Sequence, residues 1–230
     1  MPTATAAPFI RPAMRPGLIF DLDGTLVDSL PGIAASLNRS LGHLGLPTHG
    51  SPVIRTFIGN GSLELARKAL PAGSPDDLAH QVEAAFKEDY ALTWPDGTAP
   101  YPGIPECLAT LATAGFPMAV LSNKPHPFTV EIVARLFPGA PFDPVLGQRP
   151  ETPRKPDPEA ALQIARHWGF APENCRFIGD STIDIATARA AGIPAVAVAW
   201  GYHDLPVLEA AGADRLVEKI HMLPAILGVD

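Results

Sequence analysis

Short unbroken apolar runs that end in acidic or hydroxyl residues alternate, along most of this chain, with stretches whose apolar positions recur every three or four residues. The first run, Leu18-Ile19-Phe20, stops abruptly at Asp21-Leu22-Asp23-Gly24-Thr25-Leu26. A run of this kind reads as a central parallel strand covered on both faces. Open α/β sheets bind ligands outside the carboxyl ends of their strands. Asp21 and Asp23 alternate in an extended segment, and both can serve one site if the chain turns at Gly24, where a ligand can also approach closely.

After Asp28 the period lengthens. Ile33, Leu37, Leu41 and Leu44 mark one helix, with Gly45 and Pro47 as its stop signals. Shorter helices are expected over residues 52–57 and 62–70, and a longer one over 76–92 with Leu78, Val82, Ala85, Phe86 and Tyr90 on one side. Trp94-Pro95-Asp96-Gly97 through Tyr101-Pro102-Gly103 then punctuates the chain. The pattern predicts an inserted helical domain at 29–98, flanked by the two parts of an α/β core at 17–28 and 99–230. Residues 1–16 carry four prolines, two arginines and no acid, and read as a flexible leader with no signal-peptide core.

From Pro102 onward helices and apolar runs alternate, the mark of βα units and a mostly parallel sheet. A helix led by Ile104, Leu108 and Leu111 closes at Gly115. Met118-Ala119-Val120-Leu121 is a strand that delivers Ser122-Asn123-Lys124, and a helix over 126–136 follows. Val145-Leu146 is a short strand. Asp157-Pro158 reads as a cap with proline at the first helical position, opening a helix that stops at Gly169. Arg176-Phe177-Ile178 delivers Gly179-Asp180, another helix ends at Gly192, and residues 195–199 form a strand. Two short helices flank a last strand at 215–217.

Composition narrows the classes. With 47% hydrophobic and 18% charged residues and a formal net charge of -7, the chain is an ordinary globular one with no basic stripe for nucleic acid. Nothing approaches the roughly 20 apolar residues of a membrane span. Cys107 and Cys175 have neither ligand nor redox spacing and are expected as reduced core thiols, consistent with a cytoplasmic location.

Four separated loops each hold residues suited to phosphoryl transfer: Asp21 with Asp23, Ser122, Lys155, and Asp180 with Asp184. An EF-hand starting at Asp21 would need glycine at its sixth position and glutamate at its twelfth, where Leu26 and Gly32 stand. No G-x-x-x-x-G-K-[ST] occurs to hold a nucleotide. Lys155 precedes Pro156, which biases it toward an extended conformation. Asp180 and Asp184 share a face at a helix start, although Asp184 can equally complete a capping box with Ser181. Three carboxylates meeting a phosphate ester repel it by about 4 kcal/mol per unit pair at about 4 Å and an effective dielectric near 20, so a cation is required, and all-oxygen ligands favour Mg²⁺. The loop Gly59-Asn60-Gly61, between two helices of the insert, is placed over the site. A carboxylate on the substrate would need a positive partner, for which Arg55, Arg67, Lys68 and Lys124 are candidates.

Asp21-Leu22-Asp23-Gly24-Thr25, Leu121-Ser122-Asn123, Lys155-Pro156-Asp157-Pro158 and Gly179-Asp180-Ser181 with Asp184 resemble, in order and spacing, the four motifs of the haloacid dehalogenase superfamily. The resemblance implies a Rossmann-like core with a helical C1 cap. It implies Asp21 as nucleophile, Asp23 as general acid and base, and Ser122 and Lys155 as phosphate ligands, with Gly24, Thr25 and Asn123 beside the substrate. Mg²⁺ would sit on Asp21, the Asp23 carbonyl and Asp180, with Asp184 supporting them or as an alternative ligand. Phe57-Ile58-Gly59-Asn60-Gly61, Ser122-Asn123-Lys124-Pro125 and Trp200-Gly201-Tyr202 are similar to bacterial phosphoglycolate phosphatases, which implies hydrolysis of a small ester, 2-phosphoglycolate, with Gly59 and Asn60 near it. Two rivals remain. One is a sugar phosphomutase of the same superfamily. The other is a phospho-accepting regulatory domain, which would not require an insert of about 70 residues.

Overall fold

The computed structural model describes residues 15–229. Among them, six strands form one sheet in the order β5-β4-β1-β6-β7-β8, and every neighbouring pair is parallel. These strands are β1 (Gly17–Phe20), β4 (Met118–Pro125), β5 (Phe142–Gln148), β6 (Cys175–Gly179), β7 (Ala195–Val198) and β8 (Arg215–Val217). The chain winds outward from β1 through β4 to β5, then returns to the other side of β1 for β6. The strand order therefore reverses at β1, and a crevice opens at its carboxyl end.

Side chains alternate across the sheet as a two-residue period demands. Leu18, Phe20, Val120, Ile178 and Val196 face one core, whereas Ile19, Leu121, Phe177 and Ala197 face the other. Each fully buried side chain of this size contributes roughly 1.5–3 kcal/mol. Helices α5 (Ile104–Thr113), α6 (His126–Leu136), α7 (Glu159–His167), α8 (Thr182–Ala191), α9 (Leu205–Ala211) and α10 (Leu223–Ile226) cover the two faces. The fold is α/β and Rossmann-like.

Between two short strands, β2 (Val27–Asp28) and β3 (Ala99–Pro100), lie α1 (Leu30–His43), α2 (Ser51–Arg55), α3 (Ser62–Ala69) and α4 (Asp76–Thr93). β2 and β3 pair antiparallel, so the two connections to this helical layer run side by side. Ile33, Leu37 and Leu41 of α1 and Val82, Phe86 and Tyr90 of α4 are buried together, as their helical spacing predicts. Leu44, read as part of the first stripe, instead ends the helix and is 38% exposed. Leu78 and Ala85 are only half-buried, with Ala79 turned inward in their place.

Other differences have physical reasons. β4 continues through Ser122-Asn123-Lys124 instead of ending at Leu121, because Pro125 still pairs with Gln148 of β5. β5 is longer than Val145-Leu146, its extent hidden in sequence by Pro144 and Gly147, which an edge strand tolerates. At α7 the cap is Pro158 itself, and Asp157 stands one residue earlier, where its Oδ1 accepts the Glu159 N–H at 2.9 Å. Of the expected leader, only Arg15 and Pro16 fall within the described residues, and Arg15 donates to the Gly228 carbonyl at 2.8 Å. Cys107 and Cys175 are free and buried, and burial pushes both thiols up to about 11. No helix among the described residues is long and apolar enough to cross a membrane.

Where the two connections meet, Gly32 donates to the Gly97 carbonyl at 2.9 Å. A Cβ added at Gly97 would lie 2.5 Å from the Gly32 nitrogen and 2.6 Å from its Cα, and backbone atoms cannot yield. Gly97→Ala is therefore expected to lower stability by about 1–3 kcal/mol, read as a shift of the urea unfolding midpoint. An unchanged midpoint would contradict this packing.

Candidate active site

The site is built where β1 and β6 end side by side. Asp21 leaves β1 with its N–H donated to the Ile178 carbonyl of β6 at 2.9 Å, which fixes the start of the loop. The Leu22 carbonyl then collects the N–H groups of Thr25, Leu26 and Val27, winding the chain into a tight turn. Gly24 adopts a φ of +84°, and any side chain there would also overlap the Asp180 carboxylate. Asp180 follows Gly179 at the end of β6. Its Oδ1 accepts the Thr25 hydroxyl at 2.8 Å and its Oδ2 accepts the Tyr202 N–H at 2.7 Å.

Asp184 answers to both readings of its position. Its Oδ2 accepts the Ser181 hydroxyl at 2.6 Å and the Ser181 N–H at 3.1 Å, completing the capping box of α8. Its Oδ1 accepts Lys155 Nζ at 2.7 Å. Lys155 is 5% exposed and bridges two acids, since Nζ also lies 2.8 Å from Asp21 Oδ1. Burial disfavours its charge, but Asp184 and Asp21 outweigh that and hold the ammonium above its ordinary pKa. Asn123 clips this loop in place: its Oδ1 accepts the Lys155 N–H at 2.9 Å and its Nδ2 donates to the Lys155 carbonyl at 3.0 Å and the Gly59 carbonyl at 2.9 Å.

A cavity of about 60 Å³ lies above these groups. Its polar end holds Asp21, Asp23, Ser122, Lys124, Lys155 and Asp180, and its other wall is apolar, with Ile33, Ile58, Leu65, Phe86, Tyr90 and Phe128. Asp23 stands apart from the other acids. Its carboxylate accepts the Ser29 hydroxyl at 2.6 Å and Lys124 Nζ at 3.1 Å on each oxygen.

The structure thus brings together Asp21, Asp23, Ser122, Lys155, Asp180 and Asp184. It gives several expected substrate contacts other duties. The Thr25 hydroxyl is consumed by Asp180, and the Asn123 amide by the backbone of Lys155 and Gly59. Gly59 lines the cavity, but Asn60 does not, and its carbonyl accepts Arg154 Nη1 at 2.7 Å. Sequence reasoning missed Ser29, and it missed Tyr202 and His203 as site residues. The Tyr202 hydroxyl accepts the Ser29 N–H at 3.0 Å. Both Tyr202 and His203 line the cavity shortly after the carboxyl end of β7, and that position was the signal available for them.

One carboxylate oxygen from each of Asp21, Asp180 and Asp184 lies within 4.8 Å of the others. Burial, then the Asp184 charge, pushes Asp21 up to about 7 against the pull of Lys155. Burial, Asp184 and Asp21 raise Asp180 well above the carboxylate range. Among the described residues Asp21 Oδ1 is met by the Lys155 ammonium at 2.8 Å and by no other donor. With Asp23, four carboxylates face two ammonium groups, which leaves two negative charges. A buried all-oxygen donor set with that formal surplus fits a hard divalent cation.

Comparison with known proteins agrees with the architecture. A family model described as haloacid dehalogenase-like hydrolase matches residues 18–198. The chain is 35% identical to a phosphoglycolate phosphatase of Pseudomonas putida over 92% of its own length and 80% of the relative's. It is 33% identical to a phosphoglycolate phosphatase of Escherichia coli over 91% of its length and 92% of the relative's. Among solved structures it is similar to one from Lactobacillus delbrueckii subsp. bulgaricus, for which phosphoglycolate phosphatase activity is proposed, with a TM-score of 0.87 and 31% identity, covering 94% of this chain and 100% of that one.

Asp21 binds its proton more tightly folded than unfolded. The stability it contributes without a cation is complete below its ordinary value of 3.8 and lost as pH rises to about 7. Saturating Mg²⁺ should therefore raise the melting temperature by about 5–10 °C at a pH near 7.5 and by much less near 5. Asp180→Asn should lose most of that rise. Differential scanning calorimetry of cation-free protein checks this, and an equal shift at both pH values or in the variant would argue against the acidic triad as the cation site.

Proposed function

The chain belongs to the haloacid dehalogenase-like hydrolases and is a phosphoric monoester hydrolase, and we propose that it converts 2-phosphoglycolate to glycolate and phosphate through a phosphorylated Asp21. The observation that carries the mechanism is the convergence of Asp21, Ser122, Lys155 and Asp180 from four separate segments at the carboxyl end of the sheet. The names of the relatives support the substrate.

In this reading the Asp21 carboxylate, at the carboxyl end of β1, attacks the phosphorus atom. The new acyl phosphate bond forms as the bond to the ester oxygen breaks, and Asp23, protonated when the ester arrives, gives that proton to the departing alkoxide. Asp23 then takes a proton from water, whose oxygen attacks the same phosphorus, releasing inorganic phosphate and restoring Asp21. Lys155 and the Ser122 hydroxyl hold the phosphoryl oxygens. Asp21, the Asp23 carbonyl and Asp180 would hold Mg²⁺, which supplies charge neutralisation and polarisation of the phosphoryl group, while Asp184 orients Lys155. The helical segment 29–98 acts as a cap whose apolar wall excludes bulk water.

Purified protein with Mg²⁺ is expected to release inorganic phosphate from 2-phosphoglycolate without any bisphosphate activator, and to stop when the cation is chelated. Asp21→Asn should lower kcat by roughly 10⁴-fold or more with an unchanged circular dichroism spectrum. Normal turnover by that folded variant would remove Asp21 from the nucleophile's role, and transfer of phosphate to a sugar in place of water would replace hydrolysis with mutase chemistry.

A further inference from the structure

Four cations could have met a carboxylate on the substrate, and the structure separates them. Arg55 donates to Asp204 Oδ1 at 2.9 Å and the Gly201 carbonyl at 3.2 Å, outside the cavity. Arg67, with a side chain 41% exposed, pairs with Glu64 and Asp76. Lys68 Nζ lies toward the Thr56 carbonyl at 3.4 Å. Lys124 lines the cavity and is 8% exposed.

Its surroundings are specific. Nζ straddles Asp23 at 3.1 Å to each carboxylate oxygen and sits 4.6 Å from the centre of the Tyr90 ring of α4. Charge-assisted bonds favour about 2.7–2.9 Å, so this bidentate grip is looser than that of Lys155 on Asp184 at 2.7 Å. Tyr90 itself packs on Phe86 and Phe128, with ring centres 5.3 and 5.4 Å away. The ammonium therefore stands between the proton-transferring acid and an aromatic wall that offers a carboxylate nothing. Lys155 is already bound to two acids at the phosphoryl end. His203, also on the wall, accepts the Thr182 N–H at Nδ1 and is held by burial below the ordinary histidine pKa, so it is a neutral donor.

We propose that Lys124 is the specificity-determining residue, selecting esters whose leaving group carries a carboxylate by exchanging the Asp23 carboxylate for that of the substrate. The proposal rests on the phosphatase reading above. A carboxylate entering this chamber loses its water and needs a buried counter-charge. Lys124 supplies one, and in turning to the substrate it frees Asp23 Oδ2 toward the ester oxygen while Oδ1 keeps the Ser29 hydroxyl. A neutral leaving group leaves the Lys124–Asp23 pair closed and the acid engaged. Recognition and release of the acid are then one movement.

The test compares kcat/KM for 2-phosphoglycolate and for its amide, an ester of the same size without the charge. The native enzyme should prefer the acid by about 100-fold. Lys124→Met should bring that ratio to within about threefold of unity, whatever its absolute rates, whereas Lys124→Arg, which keeps the charge, should retain a preference of at least about tenfold. Arg67→Met, remote from the cavity, should leave the ratio as in the native enzyme. Equal losses on both esters in Lys124→Met would make Lys124 a support for Asp23 alone and overturn the proposal. So would a native enzyme that hydrolyses both esters alike, a comparison that decides the matter if the methionine variant does not fold. Hydrolysis of neither ester by the native enzyme, in the presence of Mg²⁺, would defeat the 2-phosphoglycolate assignment itself and the proposal with it.

Discussion

Crowded, buried negative charge is the constraint on which this structure depends. Asp21, Asp180 and Asp184 present oxygens within 4.8 Å of one another in a region nearly closed to water. Each pair of unit charges at about 4 Å costs about 4 kcal/mol even at an effective dielectric of 20. Lys155 relieves part of this, and burial, then the neighbouring carboxylates, raise Asp21 and Asp180 above the carboxylate range. β1 and β6 hold two of the acids as direct neighbours, and Gly24, Gly179 and Gly201 each stand where a side chain would collide with an acid of the cluster. The outcome is a crowded acidic site, which in the proposed reading a divalent cation and a phosphoryl group would complete.

The division of labour follows from where the charges lie. The sheet edge supplies groups that deal with any phosphoryl oxygen, and the helical layer supplies an apolar wall with no charge of its own in the cavity among the described residues. The proposal for selectivity concerns the border, where β4 runs on past Leu121 and carries Lys124 beneath Tyr90 of α4. The paired connections β2 and β3, with Gly32 against Gly97, fix how the layer sits over that border.

Much of the fold was legible because its signals are local. The apolar runs at Leu18–Phe20 and Phe177-Ile178 end in aspartates at the sheet's edge, and the helices fall within a few residues of their periodic stretches. Asp184 was legible as an ambiguity; the structure shows its capping box with Ser181 and adds a contact with Lys155 that the sequence did not announce. What stayed hidden depends on partners distant in the chain. Nothing near Asn123 announces that its amide would be spent on Lys155 and Gly59, or near Thr25 that its hydroxyl would go to Asp180. Ser29, six residues from Asp23, is the N-cap residue of α1, and its hydroxyl binds that acid instead of the helix's N–H groups. Likewise Arg55, Arg67, Lys68 and Lys124 are equivalent by charge and distinct only by the direction in which the fold turns them.

The most direct measurement of the central claim, that Asp21 is the atom site that accepts the phosphoryl group, is borohydride trapping during turnover. Enzyme mixed with 2-phosphoglycolate and Mg²⁺ is quenched within milliseconds, reduced and mapped by peptide mass spectrometry. The account predicts conversion of Asp21 to homoserine, dependent on both substrate and cation. Trapping at another residue, or turnover with no modification at Asp21 when the quench captures a burst of released glycolate, would contradict it.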